Sequence, residues 1–310
     1  MNEMEPTLSL VRRARRAALS LVVALVSLVA LSACSGPQRK DPPPPAAQEH
    51  LRIGEQYMKQ GYPEKAIVEF EGAQMVAPQS YTVKMALGNG YRGAGYLDRA
   101  ISTYTQASEL WPESPNPQNE MGIIYGQKSL TKEAEEQFDA SMKKVPEKGA
   151  GSKYTDPWFN KGVLYLSLNR NDEAKDLFLA VLQRDPNVAD AHVNLALIDL
   201  NNGYFEGAEQ RLQAALKLRP DHAVAIYNLG LSFLMQNRPE RAIAEFKKAI
   251  AKEPKYVQAY NNMGVAYRNI SRPESARACF KKALDLDSQN EFARGQMREL
   301  DQEKAQGGGR

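Results

Sequence analysis

Asn160, Asn194, Asn228 and Asn262 recur at intervals of 34 residues, and a carboxamide row of this kind is suited to one sort of chemistry. Each amide can donate to and accept from a peptide group at once, so the row can grip an extended chain with little regard for its sequence. Each such bond contributes only about 0.5–1.5 kcal/mol net, which suits reversible holding. The same amides can equally bond within the protein, and spacing leaves both roles open. Groups arranged for catalysis are not found. His50, His192 and His222 stand apart without metal-ligand spacing. No phosphate-cradling glycine loop, nucleophile elbow, paired-carboxylate or zinc motif occurs. The expectation is no catalytic residue, no metal and no small-molecule substrate.

The two cysteines, Cys34 and Cys279, are too few for a disulfide scaffold or a cysteine-rich metal site. Cys279 falls in a periodic apolar segment and reads as a small buried filler. Cys34 has a different setting. Arg12, Arg13, Arg15 and Arg16 precede an apolar run from Ala17 to Ala30, which ends in Leu31-Ser32-Ala33-Cys34. A basic start followed by a short apolar stretch has the form of a secretory signal rather than a stable membrane span. The closing residues resemble the bacterial lipobox, in which the signal is cut before the cysteine and the cysteine is acylated. The resemblance implies a lipoprotein signal peptide over residues 1–33 and a covalent lipid on Cys34 as the sole attached group, with no cofactor. At about 0.8 kcal/mol per buried methylene, several acyl chains would hold the protein to a membrane. Ser35 rather than Asp after the cysteine implies lipid anchoring in the outer membrane of the cell envelope, facing the periplasm. Residues 34–46 include Gly36, Pro37 and Pro42 to Pro45, too proline-rich for a helix, and read as a tether. A dozen such residues at about 3.1 Å each reach roughly 35–40 Å.

The chain carries 40 basic and 37 acidic residues, a net charge of +3. Two of those three charges lie in the expected signal, so the remainder is nearly neutral and no nucleic-acid partner is expected.

What must position the asparagine row is a repeat. Gly54, Gly88 and Gly122 are 34 apart, followed at fixed offsets by Tyr57, Tyr91 and Tyr125, by Ala66, Ala100 and Ala134, and by Phe70, Tyr104 and Phe138. Pro78, Pro112 and Pro146 close the units. After six extra residues the pattern resumes at Gly162, Tyr165, Ala174, Phe178 and Pro186. Repeat five reads Ala196, Ala208, Leu212, Ala215 and Pro220; repeat six Gly230, Phe233, Ala242, Phe246 and Pro254; repeat seven Gly264, Tyr267, Ala276 and Phe280. Small residues let two helices approach, aromatics fill the space between pairs, and proline ends the second helix. This pattern resembles the tetratricopeptide repeat over residues 47–290. The implied fold is all-α, a right-handed superhelical solenoid of seven helix pairs with a C-terminal capping helix. Repeats one to three occupy 47–148, an insertion 149–154, repeats four to seven 155–290, and the capping helix and tail 291–310. The insertion either loops out or acts as a hinge. Three departures stand out: Asp199 replaces the first-helix aromatic, Lys161 an apolar residue, and Ser288 the last proline, so the last helix is free to run on.

In the family the first helices line the binding face. In repeats one to three those positions are mostly polar: Gln48, Glu55, Lys59, Thr82, Asn89, Arg92, Asn116, Asn119 and Gln127. In repeats four to six they are apolar: Phe159, Val163, Leu166, Val193, Leu197, Leu200, Tyr227, Leu231, Leu234 and Met235. Ten such side chains exceed the patch a monomer leaves exposed, so they read as a groove for an apolar segment of a protein partner. The alternative is that some pack within the array or under the C-terminal helix. The basic clamp by which chaperone adaptors of the family hold a terminal carboxylate is replaced here by Leu51, Met85, Phe159, Val193 and Tyr227.

Lipobox, tether and repeats together resemble the pilotin lipoproteins of type IV pilus assembly, although this chain has more repeats. That resemblance implies a membrane-anchored interaction scaffold whose partner is an outer-membrane secretin. A lipoprotein adaptor for peptidoglycan enzymes or for outer-membrane protein assembly fits the same features, and a catalyst without a recognisable motif is the remaining class. If the apolar stretch holds the partner, Leu197→Glu with Leu231→Glu abolishes capture in a pull-down from solubilised envelope while circular dichroism is unchanged. Unchanged capture excludes the stretch.

Overall fold

The computed structural model describes residues 42–147, 151 and 153–307. Cys34, the expected signal and most of the tether lie outside the described residues. The described chain is an all-helical tetratricopeptide solenoid of seven helix pairs and a final helix. The pairs are α1 (Pro45–Lys59) with α2 (Pro63–Val76), α3 (Tyr81–Gly93) with α4 (Leu97–Leu110), α5 (Asn116–Gln127) with α6 (Thr131–Lys144), and α7 (Asp156–Ser167) with α8 (Asn171–Arg184). They continue with α9 (Ala189–Asn201) and α10 (Phe205–Leu218), α11 (Ala223–Met235) and α12 (Pro239–Lys252), and α13 (Val257–Asn269) and α14 (Pro273–Leu286), closed by α15 (Glu291–Gly307). The helices fall into two compact units, one ending at Pro186 and the other beginning at Asn187.

Inside each pair, the aromatic of the second helix lies against the small residue of the first. A β-carbon added to Gly88 would come within 2.5 Å of the Tyr104 ring, one on Gly122 within 2.7 Å of Phe138, and one on Gly162 within 2.9 Å of Phe178. The same holds in the other unit at Gly230 with Phe246 and at Gly264 with Phe280, at 2.8 and 2.6 Å. In repeat five the small residue is Ala196 and the ring is replaced by the smaller Leu212, both fully buried. The pair trades volume so that their sum stays nearly constant, as close packing requires.

Each first helix ends the same way. Gly61, Gly95, Ser129, Asn169, Gly203, Asn237 and Ser271 all adopt positive φ, between 55° and 80°. The next amide then donates back to the carbonyl of the landmark first-helix residue, as from Tyr62 to Tyr57, Tyr204 to Asp199 and Arg272 to Tyr267, at 2.8–2.9 Å. This is the Schellman closure, which satisfies carbonyls the helix end would otherwise strand.

Two expectations need correction. Pro45 belongs to α1 rather than to the tether, because proline is tolerated in a first helical turn whose N–H has no partner in any case. The last repeat does not run on without its proline: α14 stops at Leu286, and Asp287 Oδ1 accepts from the Gln289 amide at 3.1 Å. Asn290 Oδ1 then caps α15 by accepting from the Ala293 amide at 2.9 Å. The departures at Lys161 and Asp199 are ion-paired. Lys161 Nζ sits 2.6 Å from Asp139, and buried Asp199 accepts from Arg211 Nε at 2.7 Å, replacing the aromatic–cation stack seen where Arg99 lies 4.1 Å from the Tyr91 ring. Across the 149–154 insertion, α7 packs on α6, and Asn160 Nδ2 donates to Asn119 Oδ1 at 2.9 Å.

Because a side chain in the left-handed region costs about 1 kcal/mol relative to glycine, Ser271→Gly is expected to raise the thermal midpoint of the chain. Gly203→Val is expected to lower it. A fall with Ser271→Gly would contradict the closure described.

Candidate functional site

The ten apolar first-helix residues do not form one exposed lining. Phe159, Val163 and Leu166 on α7 are half-buried, and Phe159 packs edge-on against Phe178 with ring centres 5.5 Å apart. On α9, Val193, Leu197 and Leu200 are buried. On α11, Tyr227 and Leu234 are buried while Leu231 and Met235 are half-buried. Val193, Leu200, Tyr227 and Leu234 belong to the core cluster of the unit beginning at Asn187. Within the unit beginning at Asn187 first helices of successive repeats pack side by side, α9 on α11 and α11 on α13, and each covers part of what its neighbour would expose. Leu197, only 8% exposed, is therefore a poor place to introduce a charge; Leu231 is the better one.

The asparagine row is used largely within the protein. Asn160 bonds Asn119, Asn194 Nδ2 donates to the Asp190 carbonyl at 2.9 Å, and Asn262 Nδ2 donates to the Tyr227 hydroxyl at 2.7 Å. Asn228 is buried. The Asn160 and Asn262 bonds tie neighbouring first helices together, while the Asn194 bond turns back within α9, so those amide donors are already engaged. Burial pushes the Tyr227 phenol well above its ordinary range, keeping it neutral.

Sequence reading passed over a charged cluster in the unit ending at Pro186. Arg92 Nε on α3 lies 3.3 Å from Glu120 Oε2 on α5. Burial pushes the Glu120 carboxyl up in spite of Arg92. Asp156, in the first turn of α7, is pushed up to about 6 by burial and by Glu120. Asn119, 2% exposed, bonds Asn160 beside them. The signal was present in the register: Glu120 holds in repeat three the position that Asn160 holds in repeat four, and Asp156 corresponds to Asn116 before it and Asp190 after it.

Other titratable groups are placed as packing elements. His50 Nδ1 is 2.8 Å from Glu69, and His222 Nε2 is 2.9 Å from Asp190, which Arg219 also contacts at 2.8 Å. Burial raises the Cys279 thiol to about 11. Among the described residues no group of three potential metal ligands occurs, and no helix is long and apolar enough to cross a membrane.

Comparison with known proteins decides the family. One tetratricopeptide repeat profile matches residues 159–223, 195–254 and 227–291, and a second matches 85–115, together just over half of the chain. The chain belongs to the tetratricopeptide repeat family. It is a non-catalytic scaffold for protein–protein interaction. Anaphase-promoting complex subunit CDC16 of Saccharomyces cerevisiae is 25% identical over 170 residues, which cover 54% of this chain but only 20% of that protein. A tetratricopeptide repeat protein from Parabacteroides merdae aligns with TM-score 0.59 and 18% identity, over 82% of this chain and 98% of that one. Pseudomonas aeruginosa pilF aligns with TM-score 0.60 and 15% identity, over 72% and 97%. The anaphase-promoting complex hetero-tetramer Cut9–Hcn1 aligns with TM-score 0.67 and 12% identity, over 97% and 57%. At these identities the three structures show a shared fold.

The Asp156 shift carries a sign. A carboxyl raised in the folded state holds its proton where the unfolded chain has lost it, so its contribution to stability falls as pH rises from about 4 through about 6. Asp156→Asn is therefore expected to stabilise the chain at pH 7.5, on the order of 2 kcal/mol, and the difference should close at pH 4. Paired thermal melts at the two pH values read this directly. A destabilised variant at pH 7.5 would contradict the electrostatic account.

Proposed function

We propose that this scaffold is lipid-anchored in the outer membrane through Cys34 and assists a secretin of type IV pilus assembly, in the manner of a pilotin. The observation that carries the reading is the order of features along the chain: Arg12 to Arg16, the apolar run, Leu31-Ser32-Ala33-Cys34, a proline-rich stretch, then the repeats. The fold shared with pilF over nearly that whole protein supports it. In this account the lipid fixes the array near the membrane, and the first-helix faces hold an exposed segment of the partner until it assembles.

Cys34→Ala, expressed in the native envelope with an alkynyl fatty acid, should lose both the label and membrane retention, and secretin should remain unassembled on non-denaturing gels. An unlabelled native chain, or normal secretin multimers in the variant, would overturn the reading. Cross-links to peptidoglycan enzymes or to outer-membrane assembly components in place of secretin would favour the adaptor alternative. Leu231→Glu is expected to weaken partner capture at least tenfold without loss of helicity.

A further inference from the structure

Two equivalent carboxylates in this chain have opposite surroundings. Asp190, in the first turn of α9, is held by Arg219 at 2.8 Å and His222 at 2.9 Å. Burial alone would raise its carboxyl, but the His222 bond and Arg219 bring it below its ordinary range. Asp156 has the same register in repeat four, where the positions of Arg219 and His222 are Asp185 and Val188. Among the described residues Asp156 forms no ion pair, and its nearest charged influence is the like charge of Glu120. Glu120 has Arg92 at 3.3 Å, and the neighbouring Lys161 is engaged by Asp139 at 2.6 Å. Among the described residues, the one guanidinium of this cluster pairs with Glu120, and Asp156 is left without an ion pair.

A second observation points the same way. Asn116 lies one helical turn before Glu120 on the same face of α5, is only 6% exposed, and its Oδ1 accepts no hydrogen bond. A buried carbonyl oxygen without a donor costs about 1–3 kcal/mol. A cationic donor would both satisfy the Asn116 oxygen and offset the charge of the carboxylates. We propose that Asn116, Glu120 and Asp156, on the facing first helices α5 and α7, receive a basic side chain of a bound polypeptide, the ammonium of a lysine or the guanidinium of an arginine. One turn further along, half-buried Ile123 and Val163 occupy matching positions and offer an apolar bed for the side chain's stem. The site would make a nearly neutral array selective for a partner segment that places a basic residue among apolar ones. This deepens the scaffold reading and rests on it for the partner's being a polypeptide.

The site can be tested without any partner. Isotope-labelled full chain is titrated at pH 7 with n-propylguanidinium and with n-butylammonium chloride, and with n-butylurea as the neutral control. The expected result is saturable shifts of the Asn116, Asn119 and Asn160 side-chain amides with a cation, none with the urea, and a fall of at least about half a unit in the Asp156 titration midpoint, since a nearby cation favours the carboxylate. Glu120→Gln with Asp156→Asn should abolish the response while the amide spectrum elsewhere is preserved. No saturable shift, an equal shift with the urea, or an undiminished shift in the double variant overturns the proposal. A null titration alongside intact partner capture by the native chain removes the cation site and leaves the scaffold standing. Saturable cation binding alongside absent capture does the reverse.

Discussion

A ring edge resting where a β-carbon would stand is the contact on which the rest of this structure depends. A helix pair of some 30 residues cannot bury enough apolar surface to be stable alone, so each pair must be both internally close and open to its neighbours. The glycine in the first helix solves the first requirement by admitting the phenyl ring of the second. The ring also meets the helix that follows the pair, as where Phe280 on α14 lies edge-on to Phe292 on α15 with ring centres 6.3 Å apart. Where repeat five uses Ala196 in place of glycine, the ring shrinks to Leu212. The exchange indicates that volume, rather than aromaticity, is the conserved quantity between repeats of this chain.

Once the pairs are fixed, the faces of the first helices are determined, and they divide into satisfied and unsatisfied parts. Asn160, Asn262 and the apolar positions around Tyr227 are occupied with holding neighbouring first helices together, and Asn194 bonds within its own helix. The cluster of Arg92, Glu120 and Asp156 is different, because its charges do not balance. Buried like charges lower stability, and proteins tolerate such arrangements chiefly where they serve binding or catalysis. In a scaffold for protein–protein interaction such a cluster is suited to recognising a basic side chain.

The fold was legible because its determinants are periodic and few. Glycine, alanine, aromatic and proline recurred at spacings that a hairpin of helices requires, and the structure places them as those spacings imply. The left-handed turn residue was missed although it recurs equally regularly, because glycine, serine and asparagine share the position and only the backbone angle unites them. The site was less legible for a different reason. Whether Leu200 or Tyr227 lines a surface depends on the helix of the next repeat, which periodicity within one repeat does not report. Glu120 and Asp156 were hidden for the same cause: each looks like a solvated surface acid until the neighbouring first helix is placed beside it. Lys161 and Asp199, seen in the sequence as departures, proved to be local exchanges of an apolar or aromatic contact for an ion pair.

The volume exchange between glycine and ring is open to a double-mutant cycle in repeat seven. Gly264→Ala alone should cost about 1–3 kcal/mol, because its β-carbon would lie 2.6 Å from the Phe280 ring. Phe280→Leu alone should cost on the order of 1 kcal/mol through the space it leaves. The pair together reproduces the combination found at Ala196 and Leu212, and should be clearly more stable than the sum of the single effects predicts, with a coupling of at least about 1 kcal/mol in chemical denaturation. Simple additivity of the two changes would contradict the claim that this contact sets the spacing of each helix pair.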